Sequence, residues 1–209
     1  ATFGLSGCGG NEDPSDVAAA TPTGVAVEGY LAGAEVRFDA DGNESTPTPP
    51  ECIKYTDEKG VYVIPTAATC VGPNGKIIIT GGIDLDTNAP FRGVLKAPAG
   101  SKVTSPLTTL LADGMSATQI ATILGIPETD ISTDFRANNT VNVDVARAAL
   151  SVQAIIGQIT SIIAAVNPAL DKAQIMSAVV TAMKNNVTTP IAQTTDNDLK
   201  AALQDVITD

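Results

Sequence analysis

The spacing of hydrophobic and polar positions changes once along the chain, near Ser105-Pro106. Before that point apolar residues come in short runs, closed by Gly, Pro, Asn or Asp. Val25, Val27, Leu31, Ala34, Val36 and Phe38 lie in runs parted by Gly29 and Gly33. Val61 to Ile64, Lys76 to Thr80 and Phe91 to Lys96 predict three more strands. Turns at Asp57-Glu58-Lys59-Gly60 and Gly72-Pro73-Asn74-Gly75 precede the first two. Many short strands at this spacing predict an antiparallel β-sandwich.

After Ser105 the period lengthens to that of a helix. Ser105 caps and Pro106 opens a helix through Leu107, Leu110 and Leu111, ended by Gly114. Ser116 caps a second, carrying Ile120, Ile123 and Leu124 to Gly125. Asn142 or Asp144 opens a long third, with Val145, Ala149, Val152, Ile156, Ile159, Ile163 and Val166 as its buried seam. Asn167-Pro168 breaks it. Asp171 to Lys184 and a segment from Asp196 or Asn197 through Leu199, Leu203 and Val206 complete a helical bundle. The fold class is therefore α+β: a tail and linker over 1–23, a sandwich domain over 24–100 and a helical domain over 101–209. No internal stretch reads as a membrane span, because Val145 to Val166 is interrupted by Arg147, Gln153 and Gln158.

Composition narrows the function. The 209 residues are 44% hydrophobic but only 3% aromatic, so Ala, Val, Ile and Leu must fill the core. A net charge of −11 argues against nucleic-acid binding, which needs a basic face. It also disfavours docking on anionic lipid by charge alone. With no His, Ser-His-Asp and Cys-His catalysis and every His-containing zinc site are excluded. No motif selects an acid–base pair among the carboxylates, and the chain reads as non-enzymatic.

Two resemblances add location and architecture. Leu5-Ser6-Gly7-Cys8, followed by Gly9-Gly10, resembles the lipobox that ends a bacterial lipoprotein signal. In that family the Cys carries the lipid and begins the mature chain, which implies an exported cell-surface protein. Export in turn implies a disulfide between Cys52 and Cys70, with Cys8 left for lipid or an intermolecular contact. In a reducing compartment all three stay thiols.

Val25-Ala-Val-Glu-Gly-Tyr-Leu-Ala-Gly-Ala-Glu-Val-Arg-Phe38, the Asp39-Ala-Asp-Gly-Asn43 loop and Thr56-Asp-Glu-Lys-Gly-Val-Tyr62 resemble Cna-B or carboxypeptidase-regulatory-like β-sandwich modules of bacterial surface proteins. The similarity runs over about residues 24–126. It implies a spacer, stalk or adhesive role. The Pro-rich insert Ser45 to Pro50 and Glu28 depart from the pattern. Isopeptide-forming relatives need a Lys, an Asn or Asp, and a buried acid, and the sequence assigns no such trio here.

Two sites remain as candidates. Asp39, Asp41 and Asn43 alternate around Gly42 as a plain turn does, which is the favoured reading; oxygen ligands to Ca²⁺ alternate in the same way, but the closing Glu of an EF-hand is missing. Thr2 to Ser6 alternates, so Phe3 and Leu5 share one side of an extended segment that adds to the sheet edge of a neighbouring subunit. The expected role is a self-assembling subunit of an extracellular fibre or layer, a homopolymer. The alternative is a binding or adhesion module tethered to the membrane through lipid on Cys8.

Overall fold

A computed structural model describes residues 21–44, 48–137 and 142–186. Phe3, Leu5, Cys8 and the helix expected after Asp196 lie outside them. Within the described residues the architecture is mixed α+β, with several small sheets and four α-helices, the last two forming a pair.

The central element is a four-stranded antiparallel sheet. It is built from β3 (Glu35–Asp39), β4 (Ile53–Tyr55), β6 (Lys76–Thr80) and β9 (Val94–Pro98), in the order β4-β3-β6-β9. Its register aligns Val36 with Ile79 and Leu95, and Arg37 with Ile78 and Lys96. Because side chains alternate along a strand, one face carries Val36, Phe38, Ile77, Ile79, Leu95 and Ala97. The other carries Arg37, Lys76, Ile78, Val94 and Lys96.

A second sheet joins β1 (Thr23–Ala26) to β5 (Val61–Val63) and, in parallel, to β10 (Val103–Thr104). A Cβ at Gly24 would collide with the Tyr62 ring, so glycine lets these two strands close. Tyr62 is buried and shares a hydrogen bond of 2.8 Å with Thr104 Oγ1. The third sheet is three short pieces: β2 (Leu31–Ala32), β7 (Ile83–Asp84) and β8 (Ala89–Pro90). At two residues each, they carry too little period to be predicted from sequence.

The helices begin where the pattern changes. α1 (Pro106–Ala112) has Ser105 and Thr108 in a reciprocal capping box, and α2 (Ala117–Leu124) has Ser116 and Gln119 in another. Gly125 ends α2 at a φ of 67°, in the left-handed region that glycine enters without steric cost. Asn142 caps α3 (Val143–Val166) through the Val145 N–H, and Asp171 receives the Ala173 N–H at the start of α4 (Lys172–Asn186).

Two apolar cores lie on opposite faces of the four-stranded sheet. One unites Val36, Phe38, Ile77, Ile79 and Leu95 with Ala26, Leu31, Tyr62 and the cysteine pair. The other unites Ile78 and Val94 with Leu107, Leu110, Val145, Val152, Ile156, Val179 and Val180 of the helices. The helices are therefore packed onto the sheet.

The α3 seam follows expectation through Val145, Ala149, Val152 and Ile156, with Ile159 and Ile163 half-buried against the same core, and fails only at its end. Thr160 is buried further along, whereas Val166 is 83% exposed. Helix α3 also corrects the reading that no internal segment meets the criteria for a membrane span. By length and composition its 24 residues suffice, because three interrupting side chains do not offset so many Ile, Val and Ala.

Candidate functional site

Lys96 sits in the middle of β9 with no exposed surface. Beyond a single antiparallel bridge to Ser105, its strand edge is closed by α1. The Lys96 N–H donates to Thr109 Oγ1 at 2.8 Å, and Thr108 Oγ1 donates to the Lys96 carbonyl at 2.8 Å. Two hydroxyls thus satisfy a buried strand edge.

The Lys96 ammonium enters a buried ion cluster. It donates to Glu44 Oε2 at 2.8 Å, Asp113 Oδ2 at 3.2 Å, Ser177 Oγ at 2.7 Å and the Ala173 carbonyl at 2.6 Å. Lys76, on the same sheet face, meets Glu44 at 2.5 Å and Asp113 at 3.1 Å. Ser177 donates to Asp113 at 2.9 Å. Two cations therefore face two carboxylates, supplied by two strands, the loop after β3 and the C-terminal cap of α1, and α4 adds a hydroxyl. Burial alone would lower the Lys76 ammonium, but the Glu44 hydrogen bond and the Glu44 and Asp113 charges outweigh it and raise it above its usual value.

The Asp39–Asn43 loop positions Glu44. Asp39 Oδ2 accepts the Glu44 N–H at 2.7 Å, and Oδ1 accepts the Gly42 N–H at 3.2 Å. Asp41 accepts both the backbone and side-chain N–H groups of Asn43. Glu44 itself has a φ of 63°, an uncommon conformation for a side-chain-bearing residue, which these contacts hold. Burial raises the Asp39 carboxyl above its usual range despite the N–H groups it accepts. Asp39, Asp41 and Asn43 thus come together as a hydrogen-bonded turn. Among the described residues no group of three or more His, Cys, Asp or Glu is placed to hold a metal ion.

Cys52 and Cys70 form a disulfide that closes a separation of 18 residues, with both half-cystines in the core.

A second polar cluster clamps the segment after α2 to the sheets. Arg136 pairs with both Asp86 oxygens, and its guanidinium lies 5.6 Å from the Tyr30 ring centre. Tyr30 donates to Asp134 at 3.0 Å. Burial, then this hydrogen bond, push the Tyr30 hydroxyl up to about 12. Burial followed by the Asp84 and Asp86 charges raises the nearby Glu28 carboxyl.

Sequence reasoning missed Lys76, Lys96, Glu44, Asp113 and Ser177. The available signal was a lysine inside the apolar run Val94-Leu-Lys-Ala-Pro98, since an unpaired buried lysine is rarely tolerated. Lys96, Asp113 and Glu44 do place a lysine, an aspartate and a buried acid side by side. Acceptors from four residues ring the ammonium, and Lys76 balances the second carboxylate, as in an ion cluster. The Glu44 and Asp113 side chains are 3% and 0% exposed, so the cluster is closed to a substrate. It fastens helices to sheet.

An open cleft of about 500 Å³ lies beside it on the same sheet face, where the turn between α3 and α4 stops short of covering β3. Arg37, Arg92 and Lys172 line it, with Ile78, Val94 and Leu170. Compared with family models, curated proteins and solved structures, this chain matches none.

Proposed function

We propose that this chain is a non-enzymatic structural subunit at a bacterial cell surface, which self-assembles by lending its N-terminal segment to a neighbour's sheet. The carrying observation is the asymmetry of the four-stranded sheet. Helix α1 hydroxyls occupy the β9 edge, while β4 ends the sheet with no second strand partner among the described residues. An unpaired edge is a template for another strand. Ile53 and Tyr55 share one side of β4, and Tyr55 is 65% exposed. Phe3 and Leu5, also two apart, supply apolar cross-strand partners at the same period. The finer fold in this reading is a sandwich of the bacterial surface type, supported by the shared core of Val36, Phe38, Tyr62 and Ile79.

The Leu5-Ser6-Gly7-Cys8 motif favours a second reading, a lipid-anchored module tethered through Cys8. Deleting residues 1–10 separates the two. The assembly reading expects a folded monomer from the truncated chain and polymers from the intact one, measured by light scattering and electron microscopy. Equal assembly of both, or a monomeric intact chain at high concentration, overturns it. A native N-terminus at diacylated Cys8 supports the anchor.

A further inference from the structure

Copies with a net charge of −11 repel one another, and salt screens this only beyond about 10 Å at 0.1 M. Close docking therefore needs a local patch of opposite sign. Lys76, Lys96, Arg136 and Arg147 are already in ion pairs. Arg37, Arg92 and Lys172 are in none among the described residues, and all three line the cleft beside the ion cluster. Two carboxylates also line it. Asp171 is turned toward the start of α4, where it accepts the Ala173 and Gln174 N–H groups at 2.8 and 3.4 Å, and Glu35 stands opposite at the start of β3. The cations are in excess, and Leu170, 45% exposed, adds apolar surface at the rim.

The complementary partner is written in the same chain. Asn11-Glu-Asp-Pro-Ser-Asp16 carries three carboxylates, and no Lys or Arg precedes Arg37. We infer that the cleft lined by Arg37, Arg92 and Lys172 receives the acidic segment Glu12 to Asp16 of a second copy. This rests on the assembly reading and adds a second contact to it. Arg37 lies across from Ile53 of β4, so the cleft adjoins the open sheet edge. The seven Cα–Cα steps from Leu5 to Glu12 span up to about 25 Å when extended. A strand laid on β4 can therefore continue into the cleft.

The test uses the full-length chain with Glu12→Gln, Asp13→Asn and Asp16→Asn, which empties the cleft of its own kind of ligand. A fluorescent peptide of residues 9–20 is titrated into it at low salt and followed by anisotropy. Saturable binding is expected, weakened about tenfold or more by adding Arg92→Glu and Lys172→Glu. A peptide with its three acids neutralised should not bind. Undetectable binding, or equal affinity for the groove variant, overturns the inference. If the peptide is excluded from the dilute monomeric wild-type chain whatever its concentration, the chain's own linker fills the cleft, and the second-copy assignment falls. Peptide binding without polymers would refute assembly alone, whereas polymers without peptide binding would refute the cleft alone.

Discussion

The two faces of the four-stranded sheet are made from the same strands and solve burial in opposite ways. On one, Val36, Phe38, Ile77, Ile79 and Leu95 interlock, and removal of apolar surface from water supplies the stability, about 1.5–3 kcal/mol for each large side chain. On the other, Lys76 and Lys96 stand among Ile78 and Val94, and are kept only because Glu44 and Asp113 meet them. The first face tolerates any well-fitting apolar set. The second holds only if four charged side chains from separate elements arrive together. That is a condition on how the helices dock, since a member of the cluster left without its partner is an uncompensated buried charge.

The largest expected effect breaks this contrast at adjacent residues of one strand. Lys96→Met should cost about 3–5 kcal/mol in urea unfolding, because two buried carboxylates then share one cation. Lys96→Met with Asp113→Leu leaves Lys76 and Glu44 balanced and should recover most of the loss. If both variants are equally unstable, lost packing and not lost charge balance is the cause. Intact mass sharpens the same point. Allowing for the disulfide, the mass should equal that of the sequence. A deficit of one water would replace the ion pair of Lys96 and Asp113 with an amide.

On the apolar side, Cys52→Ser with Cys70→Ser should cost about 3 kcal/mol, from the entropy regained by the unfolded chain. The loss should leave the pH dependence of stability unchanged, since no titrating group of the ion cluster is touched.

A smaller effect distinguishes the faces at alkaline pH. Burial raises the Tyr62 hydroxyl to about 12, partly offset by its bond to Thr104. The unfolded chain therefore releases this proton first. Stability is full below about pH 10 and falls toward pH 12, by about 1.4 kcal/mol per unit. Tyr30 and Lys76, whose folded values are also raised, add loss in the same direction. Tyr62→Phe should remove one proton's share of the slope measured by urea midpoints from pH 9 upward. An unchanged slope would assign the whole effect to the other two.

Much of the fold is legible where the local signal is strong. Lys76 to Thr80 is a strand at the expected bounds, Ser105 and Ser116 cap the helices they were expected to cap, and of the two candidates Asn142 and Asp144 it is Asn142 that caps α3. In each cap a side chain acts on its own backbone within a few residues. Strand β9 is displaced from Phe91–Lys96 to Val94–Pro98, because its bounds are set by pairing with β6 rather than by its own residues. The site was not legible. Glu44 and Ser177 are 133 residues apart, and nothing local marks either.

The sequence by itself determined the two kinds of element, their order, the change of period at Ser105 and the acidity of the chain, since each depends on neighbours along the backbone. Only the tertiary structure decided that Thr108 and Thr109 seal the β9 edge while β4 has a single strand partner among the described residues. It also decided that Asp39 and Asp41 build a turn to deliver Glu44, and that Lys96 can be buried. Those outcomes require groups distant in sequence to meet. A buried charge or an unpaired strand edge is settled by what packs against it, and no local pattern records that partner.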